Sequence, residues 1–223
     1  MVPSSHRRLR TGIVLPIEEI ADTPLDFSRL FLGCSRIECE VGFCSAIFLA
    51  EYANRHPDTG FLGIEKKHTY FLRGLHNLER KLLQDNVKII EFDARAVLMM
   101  LVPSASLDAI HVYFPDPWPK KRHHNRRLIT RENLRMFHEK LKDGGRVYAA
   151  TDHPDYAAFI EREISALPHL FVRLPYGERD REVTTKWERR QKAKGIPIFY
   201  YLLEKQWCRE QGSNLHGVAP TRP

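Results

Sequence analysis

No stretch of this chain is apolar enough to cross a membrane, because no hydrophobic run reaches the roughly 18 residues that a spanning helix needs. The N-terminal residues are basic, but the apolar segment of a secretory signal does not follow them. These absences lead us to expect no membrane partner and a cytoplasmic location.

Cysteine is scarce, and no pair has the CxxC spacing. We expect Cys34, Cys39, Cys44 and Cys208 to be reduced, small buried hydrophobes. A zinc site is the alternative, but no two candidate ligands have the usual spacing, so we expect no metal.

A glycine-rich nucleotide turn of the form GxGxG is also missing. After the first apolar run the chain reads Gly42-Phe43-Cys44-Ser45-Ala46, so only the first glycine is in place. A side chain at a position that requires positive φ costs on the order of 1 kcal/mol. The turn therefore predicts a cofactor affinity weakened by roughly tenfold.

Short apolar runs alternate with amphipathic stretches from Arg36 onward. The runs RIECEV, GFLGIE, VKIIEF, LDAIHVYF and RVYAAT have strand length, and the segments between them have helical spacing. This alternation predicts an α/β fold with a doubly wound, mostly parallel sheet and an antiparallel final strand. We expect a flexible segment at 1–28, one domain at 29–205 and a flexible tail at 206–223.

Ligands of doubly wound sheets bind at the carboxyl ends of the strands. The residues that follow the five runs are Gly42, Glu65, Asp93, Asp116 and Asp152, and four of them are carboxylates. Glu65 suits the ribose of an adenosine-type ligand, with Glu40 and Gly42 about 25 residues earlier. The alternatives are that Glu65 caps or pairs with Lys66 or Lys67 and that Asp93 is a helix N-cap.

Asp116 lies in a stiff turn, since Pro115, Pro117 and Pro119 restrict the backbone around it. The block KKRHHNRR, residues 120–127, follows at once, and the whole chain carries a net charge of +7. Such a block suits phosphate contacts, with Trp118, His123 and His124 available to stack on an unpaired base. A solvated charge run and an inert surface turn are the alternatives.

A polar insertion at 176–195 separates the last two strand-like runs. Insertions of this length are commonly functional loops or disordered, and Trp187 indicates that part of this one docks.

The run FPDPWPKKRHHNRRL, with GIE before it, TDH after it and TKWER late in the chain, resembles the bacterial-type tRNA (guanine-N7)-methyltransferases. The resemblance runs from about Ile37 to Glu204. It implies a Rossmann-like fold, S-adenosylmethionine as cofactor and tRNA as partner, and it leaves open a monomer or a homodimer.

The resemblance also implies a role for each matching residue. Asp116 would be catalytic and would contact the cofactor, together with Glu40, Gly42, Glu65 and Asp93. The substrate contacts would be Lys120, Asp152, Thr185, Lys186, Trp187 and Glu188, with Trp187 where the family usually has Phe. The RNA contacts would be Arg122, His123, His124, Asn125, Arg126 and Arg127.

Three functional hypotheses follow. The first is an active tRNA (guanine-N7)-methyltransferase. The second is an RNA-binding protein that keeps the fold but has lost cofactor binding, as the turn at Cys44 and Ala46 suggests. The third, a nicotinamide-dependent dehydrogenase, leaves PDPWPKKRHHNRR unexplained.

Overall fold

The protein is described by a computed structural model, which covers residues 12–20, 23–81 and 85–206. Residues 1–11 and 207–223, including most of the expected tail and Cys208, lie outside the described residues.

Within that part, a single seven-stranded sheet forms the centre of the fold. Its strands are β1 Arg36–Val41, β2 Thr59–Glu65, β3 Val87–Glu91, β4 Leu107–Tyr113, β5 Leu141–Thr151, β6 Phe171–Leu174 and β7 Phe199–Lys205. The helices are α1 Ile17–Ile20, α2 Phe27–Leu30, α3 Ile47–Arg55, α4 His68–Lys81, α5 Ala94–Met100, α6 Arg131–Lys140, α7 Pro154–Ser165 and α8 Lys186–Lys192, with 3-10 turns at Lys121–Arg126 and Glu178–Asp180.

The strand order is β3-β2-β1-β4-β5-β7-β6. Strands β1 to β5 pair in parallel, while β7 runs antiparallel to both β5 and β6. The predicted doubly wound sheet with an antiparallel final strand is confirmed. Since the order reverses between β1 and β4, the switch point lies beside Glu40 and the end of β4.

Helices cover both faces of the sheet, as parallel strands require. On one face α3 and α4 pack through residues such as Leu49, Ala53 and Leu78. On the other face α5, α6 and α7 build a larger core that includes Leu98 and Phe137. Alternate residues of β2 enter the two cores, Phe61 on one side and Leu62 on the other.

The described part of the N-terminal segment packs against the sheet edge, whereas the sequence predicted that this segment is flexible. Ile13 and Leu25 are buried, and the backbone N–H of Leu15 donates to Ile89 O at 2.9 Å. The domain boundaries at residues 28 and 205 stay predictions.

Among the described residues, no helix combines the length and the apolar character needed to span a bilayer.

Candidate functional site

The carboxyl ends of β1 to β5 line one rim of the sheet, in the order given by the strand pairing. Glu40 pairs with Gly63, two residues before Glu65, and Glu65 pairs with Glu91 at the end of β3. Asp116 and Asp152 follow β4 and β5, which pair as far as Tyr113 and Ala150. The topology therefore brings the ends of these strands, each followed by or containing a predicted acid, to a common edge.

The turn after β1 adopts the backbone that a glycine-rich turn would have. Gly42 has a φ of 75°, Cys44 of 51° and Ala46 of 50°. The last two are left-handed positions occupied by residues with a Cβ, as the sequence predicted. This conformation carries the expected strain of about 1 kcal/mol per residue.

Glu65 holds this turn in place. Its Oε2 accepts from the backbone N–H of Cys44 at 3.0 Å, and its Oε1 accepts from the backbone N–H of Lys67 at 2.8 Å. Each carboxylate oxygen has further lone pairs, so ribose hydroxyls can still bind. Glu65 thus orders the turn and keeps acceptor capacity for a ligand.

Asp93 caps helix α5, which was one of its two expected roles. Its Oδ1 accepts from the backbone N–H of Arg95 at 3.0 Å, while its Oδ2 pairs with Lys66 Nζ at 2.9 Å. Burial opposes ionisation, but the hydrogen bond and charge of Lys66 outweigh it and lower the pKa of Asp93. A cavity of about 730 Å³ lies beside this pair, lined also by Pro16, Phe71 and Phe92.

Glu40 is the most deeply buried of the acids predicted at the ends of β1 to β5. It is 4% exposed, and within the described part of the chain its Oε2 has no hydrogen-bond partner. Burial raises the pKa of Glu40 to about 8, opposed by the charge of Arg181 and reinforced by that of Glu65. A buried carboxylate with an unpaired oxygen fits a cationic ligand group, such as the ammonium of an amino acid.

Asp116 is exposed on a turn with a strained backbone on both sides. Phe114 and Trp118 have φ values of 53° and 44°. The turn is held by the Phe114 N–H, which donates to Ala150 O at 2.8 Å, and by Arg127 Nε, which donates to Pro117 O at 2.8 Å. The prolines alone therefore do not set this turn; a distant backbone carbonyl and a buried arginine also stabilise it.

The basic block divides into exposed and buried members. Lys120, Lys121, Arg122, Asn125 and Arg126 are exposed, and His123 and His124 are half-buried. The indole of Trp118 already contacts His123, with ring centroids 5.8 Å apart, and the Arg126 guanidinium lies 5.0 Å from the Trp118 ring.

Arg127 does not lie where the sequence analysis expected it. It is 1% exposed, and its guanidinium lies 4.9 Å from the Tyr156 ring and 4.6 Å from the Phe159 ring. Because it is enclosed between α7 and the turn, Arg127 supports the Asp116 turn and does not face a macromolecule.

The insertion contains a helix that the sequence analysis missed. Thr185 is the N-cap of α8, and its Oγ1 accepts from the N–H of Glu188 at 3.0 Å. The Thr-x-x-Glu spacing is a recognised start signal and could have revealed this helix. Trp187 is exposed, and its Nε1 donates to Asp152 Oδ2 at 3.0 Å, with Gln191 donating to the same oxygen. This tie docks α8 on the rim.

Glu188 lies beneath α8 with no exposed surface. Its Oε1 accepts from Lys192 Nζ at 2.9 Å and from the Tyr200 hydroxyl at 2.8 Å, and its Oε2 lies 3.0 Å from Arg181 Nη2. A substrate contact by Glu188 stays a prediction, as do those of Lys120, Thr185 and the exposed Lys186. Arg181 was not singled out from the sequence, because nothing local marks one arginine of a polar insertion as buried.

The cysteines are not uniformly buried. Cys39 is buried, Cys34 is half-buried and Cys44 is exposed on the turn after β1, and all three are free. The expectation of a buried residue is therefore wrong for Cys44. Among the described residues, no three His, Cys, Asp or Glu side chains are grouped so that they could hold a metal ion.

A family model and a solved structure, both of methyltransferases, match the fold described above. Residues 35–201 match the family model described as "Putative methyltransferase". The structure is similar to that of the 16S rRNA methyltransferase KamB, with a TM-score of 0.59, 14% identity, and 81% of this chain and 92% of that chain covered. At this identity the likeness concerns the fold alone.

Relatives found by sequence have higher identity to this chain than that structural neighbour has. A tRNA (guanine-N(7)-)-methyltransferase of Alkalilimnicola ehrlichii is 39% identical over 189 residues, covering 81% of this chain and 78% of the relative. One of Thermotoga maritima is 35% identical over 182 residues, covering 82% of this chain but only 58% of the relative. From its fold and these matches, the chain belongs to the tRNA (guanine-N7)-methyltransferase family.

Proposed function

We propose that this protein transfers a methyl group from S-adenosylmethionine to N7 of a guanine in the variable loop of tRNA. The observation that carries the proposal is the position of Asp116, exposed between the switch point of a methyltransferase sheet and an exposed basic turn. The names of the relatives supply the substrate class.

The residues present fit the cofactor. Glu40 offers a buried, unpaired carboxylate oxygen, Gly42 has no Cβ, and the cavity beside Asp93 leaves room for an adenosine. Glu65, Asp93 and Asp116 would complete the contacts. The cofactor supplies an activated methyl group on a sulfonium, so N7, which bears a lone pair and no proton, needs no strong base.

The side chains of the rim act by positioning. Asp116 would accept hydrogen bonds from N1–H and the N2 amino group of guanine, which fixes the base with N7 directed at the methyl donor. Transfer of the methyl group to N7 would leave the purine with a positive charge. The Asp116 carboxylate would stabilise that developing charge.

The exposed basic residues would bind the tRNA backbone. Lys120, Lys121, Arg122 and Arg126 lie on the turn that follows Asp116, where phosphate contacts orient the RNA without reading its sequence. Arg127 contributes from inside the protein by holding Pro117. The cytoplasmic location expected from the sequence stays a prediction.

Asp116→Ala tests the proposal through methyl transfer to unmodified tRNA, followed by detection of N7-methylguanosine by mass spectrometry. Loss of the guanine contact should lower the rate by at least about a hundredfold. The melting temperature should not change, because the carboxylate is exposed. Undiminished transfer by this variant would remove Asp116 from the mechanism.

Asp85→Ala is the matched control. Asp85 is an exposed carboxylate that precedes β3, so it lies at the amino end of a parallel strand and away from the rim that carries Asp116. It should keep full activity.

The second hypothesis, an RNA-binding protein without cofactor, has one observation in its favour: the positive φ values of Cys44 and Ala46. Calorimetric titration with S-adenosylmethionine separates the two. Micromolar binding supports the enzyme, and no heat at millimolar cofactor supports the alternative. The third hypothesis, a dehydrogenase, has no support among these relatives, which are methyltransferases.

A further inference from the structure

Arg181 is buried in the middle of the candidate site, although it comes from the polar insertion. Its side chain is 1% exposed, and its guanidinium lies 4.0 Å from the centroid of the Tyr113 ring and 5.7 Å from that of Phe48. Tyr113 ends β4, and Phe48 belongs to the first turn of α3. The guanidinium thus lies at the switch point, where the ligands of doubly wound sheets bind.

The buried guanidinium is only partly paired. Nη2 lies 3.0 Å from Glu188 Oε2 and the Tyr176 hydroxyl also interacts with the guanidinium, while among residues 12–20, 23–81 and 85–206 neither Nε nor Nη1 makes a well-aligned hydrogen bond. Leaving charged donors buried and unpaired is costly, so such groups in a folded protein require a partner, which is an ordered water, an ion or a bound ligand.

Glu40 supplies the opposite charge when a cation beside it, such as an ammonium, favours its ionised form. Its Oε2 is also buried without a hydrogen bond in the described structure, and the charge of Arg181 lowers the pKa of Glu40 against the effect of burial. The two charges therefore interact across the site. In the described part of the chain, however, Glu40 and Arg181 do not form an ion pair within 4 Å. An α-amino acid end, with a carboxylate and an ammonium on one carbon, carries charges that complement both.

We propose that Arg181 binds the carboxylate of the amino-acid end of S-adenosylmethionine, opposite Glu40 on the ammonium. This inference rests on the proposed function, since it assigns a further binding residue to the same cofactor. An arginine suits the role because its planar guanidinium can donate two parallel N–H hydrogen bonds to a carboxylate. The guanidinium also keeps its charge when it is buried. The aromatic faces of Tyr113 and Phe48 hold the guanidinium in position before the ligand arrives.

The test compares two ligands that differ only in the carboxylate. These are S-adenosylhomocysteine and its decarboxylated analogue, S-adenosyl-3-thiopropylamine, each titrated calorimetrically into the full chain without tRNA. The wild-type protein should prefer S-adenosylhomocysteine by about tenfold to a hundredfold, the usual size of a charge-assisted hydrogen bond. In Arg181→Gln that preference should fall to near one, with little change in affinity for the analogue.

Two further variants serve as an alternative to Arg181→Gln and as a control. Arg181→Lys keeps the charge but loses the fork, so it should retain part of the preference and can be measured if Arg181→Gln does not fold. Arg179→Gln removes an exposed arginine from the 3-10 turn that Arg181 caps at its C-terminal end, and this variant should behave as the wild type.

The proposal is overturned if the wild-type protein binds both ligands equally, or if the Arg181 variants lose affinity for both by the same factor. The second result would make Arg181 a support for Glu188 and α8 alone. If the wild-type protein binds neither ligand, the proposed function fails instead, so the two failures are distinguishable.

Discussion

At the scale of single residues, the turn after β1 shows how a strained backbone is retained. Cys44 keeps a φ of 51° because its N–H donates to Glu65 Oε2 and because Phe43 before it and Ala46 two residues after it are buried. The sequence predicted the strain from the missing glycines. It did not predict that Glu65 holds the turn, since that contact joins two strands.

Replacing Cys44 by Gly should relieve the strain without loss of packing, because the side chain is exposed. We expect the free energy of unfolding to rise by up to about 1 kcal/mol, as measured by urea denaturation. Affinity for the cofactor should rise by up to about tenfold in a calorimetric titration. Cys44→Ala keeps a Cβ and should show neither gain; if it stabilises as much as glycine does, strain is not the cause.

Glu40 makes the stability of the protein depend on pH. Because burial raises the pKa of Glu40 from 4.5 to about 8, the folded state binds a proton that the unfolded state releases between these values. Its contribution is therefore fully present below about pH 4.5 and is lost as pH rises toward 8, at no more than about 1.4 kcal/mol per pH unit.

Glu40→Gln removes this proton linkage. Relative to the wild type, the variant should become progressively more stable between pH 5 and pH 8, as followed by urea denaturation at a series of pH values. Parallel profiles for the two proteins would show that Glu40 ionises normally in the folded state.

At the scale of elements, the Asp116 turn and the 3-10 turn after it act as one unit joined by two neighbouring arginines. Arg126 is exposed over the Trp118 ring, whereas Arg127 is enclosed by Tyr156 and Phe159 and bonded to Pro117 O. Sequence analysis assigned both to RNA, because a run of basic letters does not show which side chains point inward.

The pair provides a matched test. Arg127→Ala should lower the free energy of unfolding by about 2–4 kcal/mol, since it removes two cation–π contacts and a charged hydrogen bond from a buried site. Arg126→Ala should change stability by less than about 1 kcal/mol but weaken tRNA binding. Urea denaturation and filter binding measure the two effects, and an equally stable Arg127→Ala protein would contradict the assigned role.

At the scale of the whole molecule, a net charge of +7 and an exposed basic turn favour a polyanion. The logarithm of the tRNA binding constant should fall linearly with the logarithm of salt concentration. Removing two phosphate contacts with Lys121→Ala and Arg122→Ala should reduce that slope by about 1 to 2.

Arg29→Ala, which removes an exposed charge on α2, is the control and should leave the slope unchanged. If the double variant has the wild-type slope, the basic turn does not contact phosphates.

The sequence alone determined the sheet, the helices between its parallel strands and the row of acids at the strand ends, because periodicity and strand length are local properties. It also indicated the positive φ at Cys44 and Ala46, since few residue types fit such a turn. Only the tertiary structure decided which cations are buried. Arg127 and Arg181 are enclosed by rings and acids far along the chain, and the burial of a long charged side chain depends on partners that adjacent residues do not reveal.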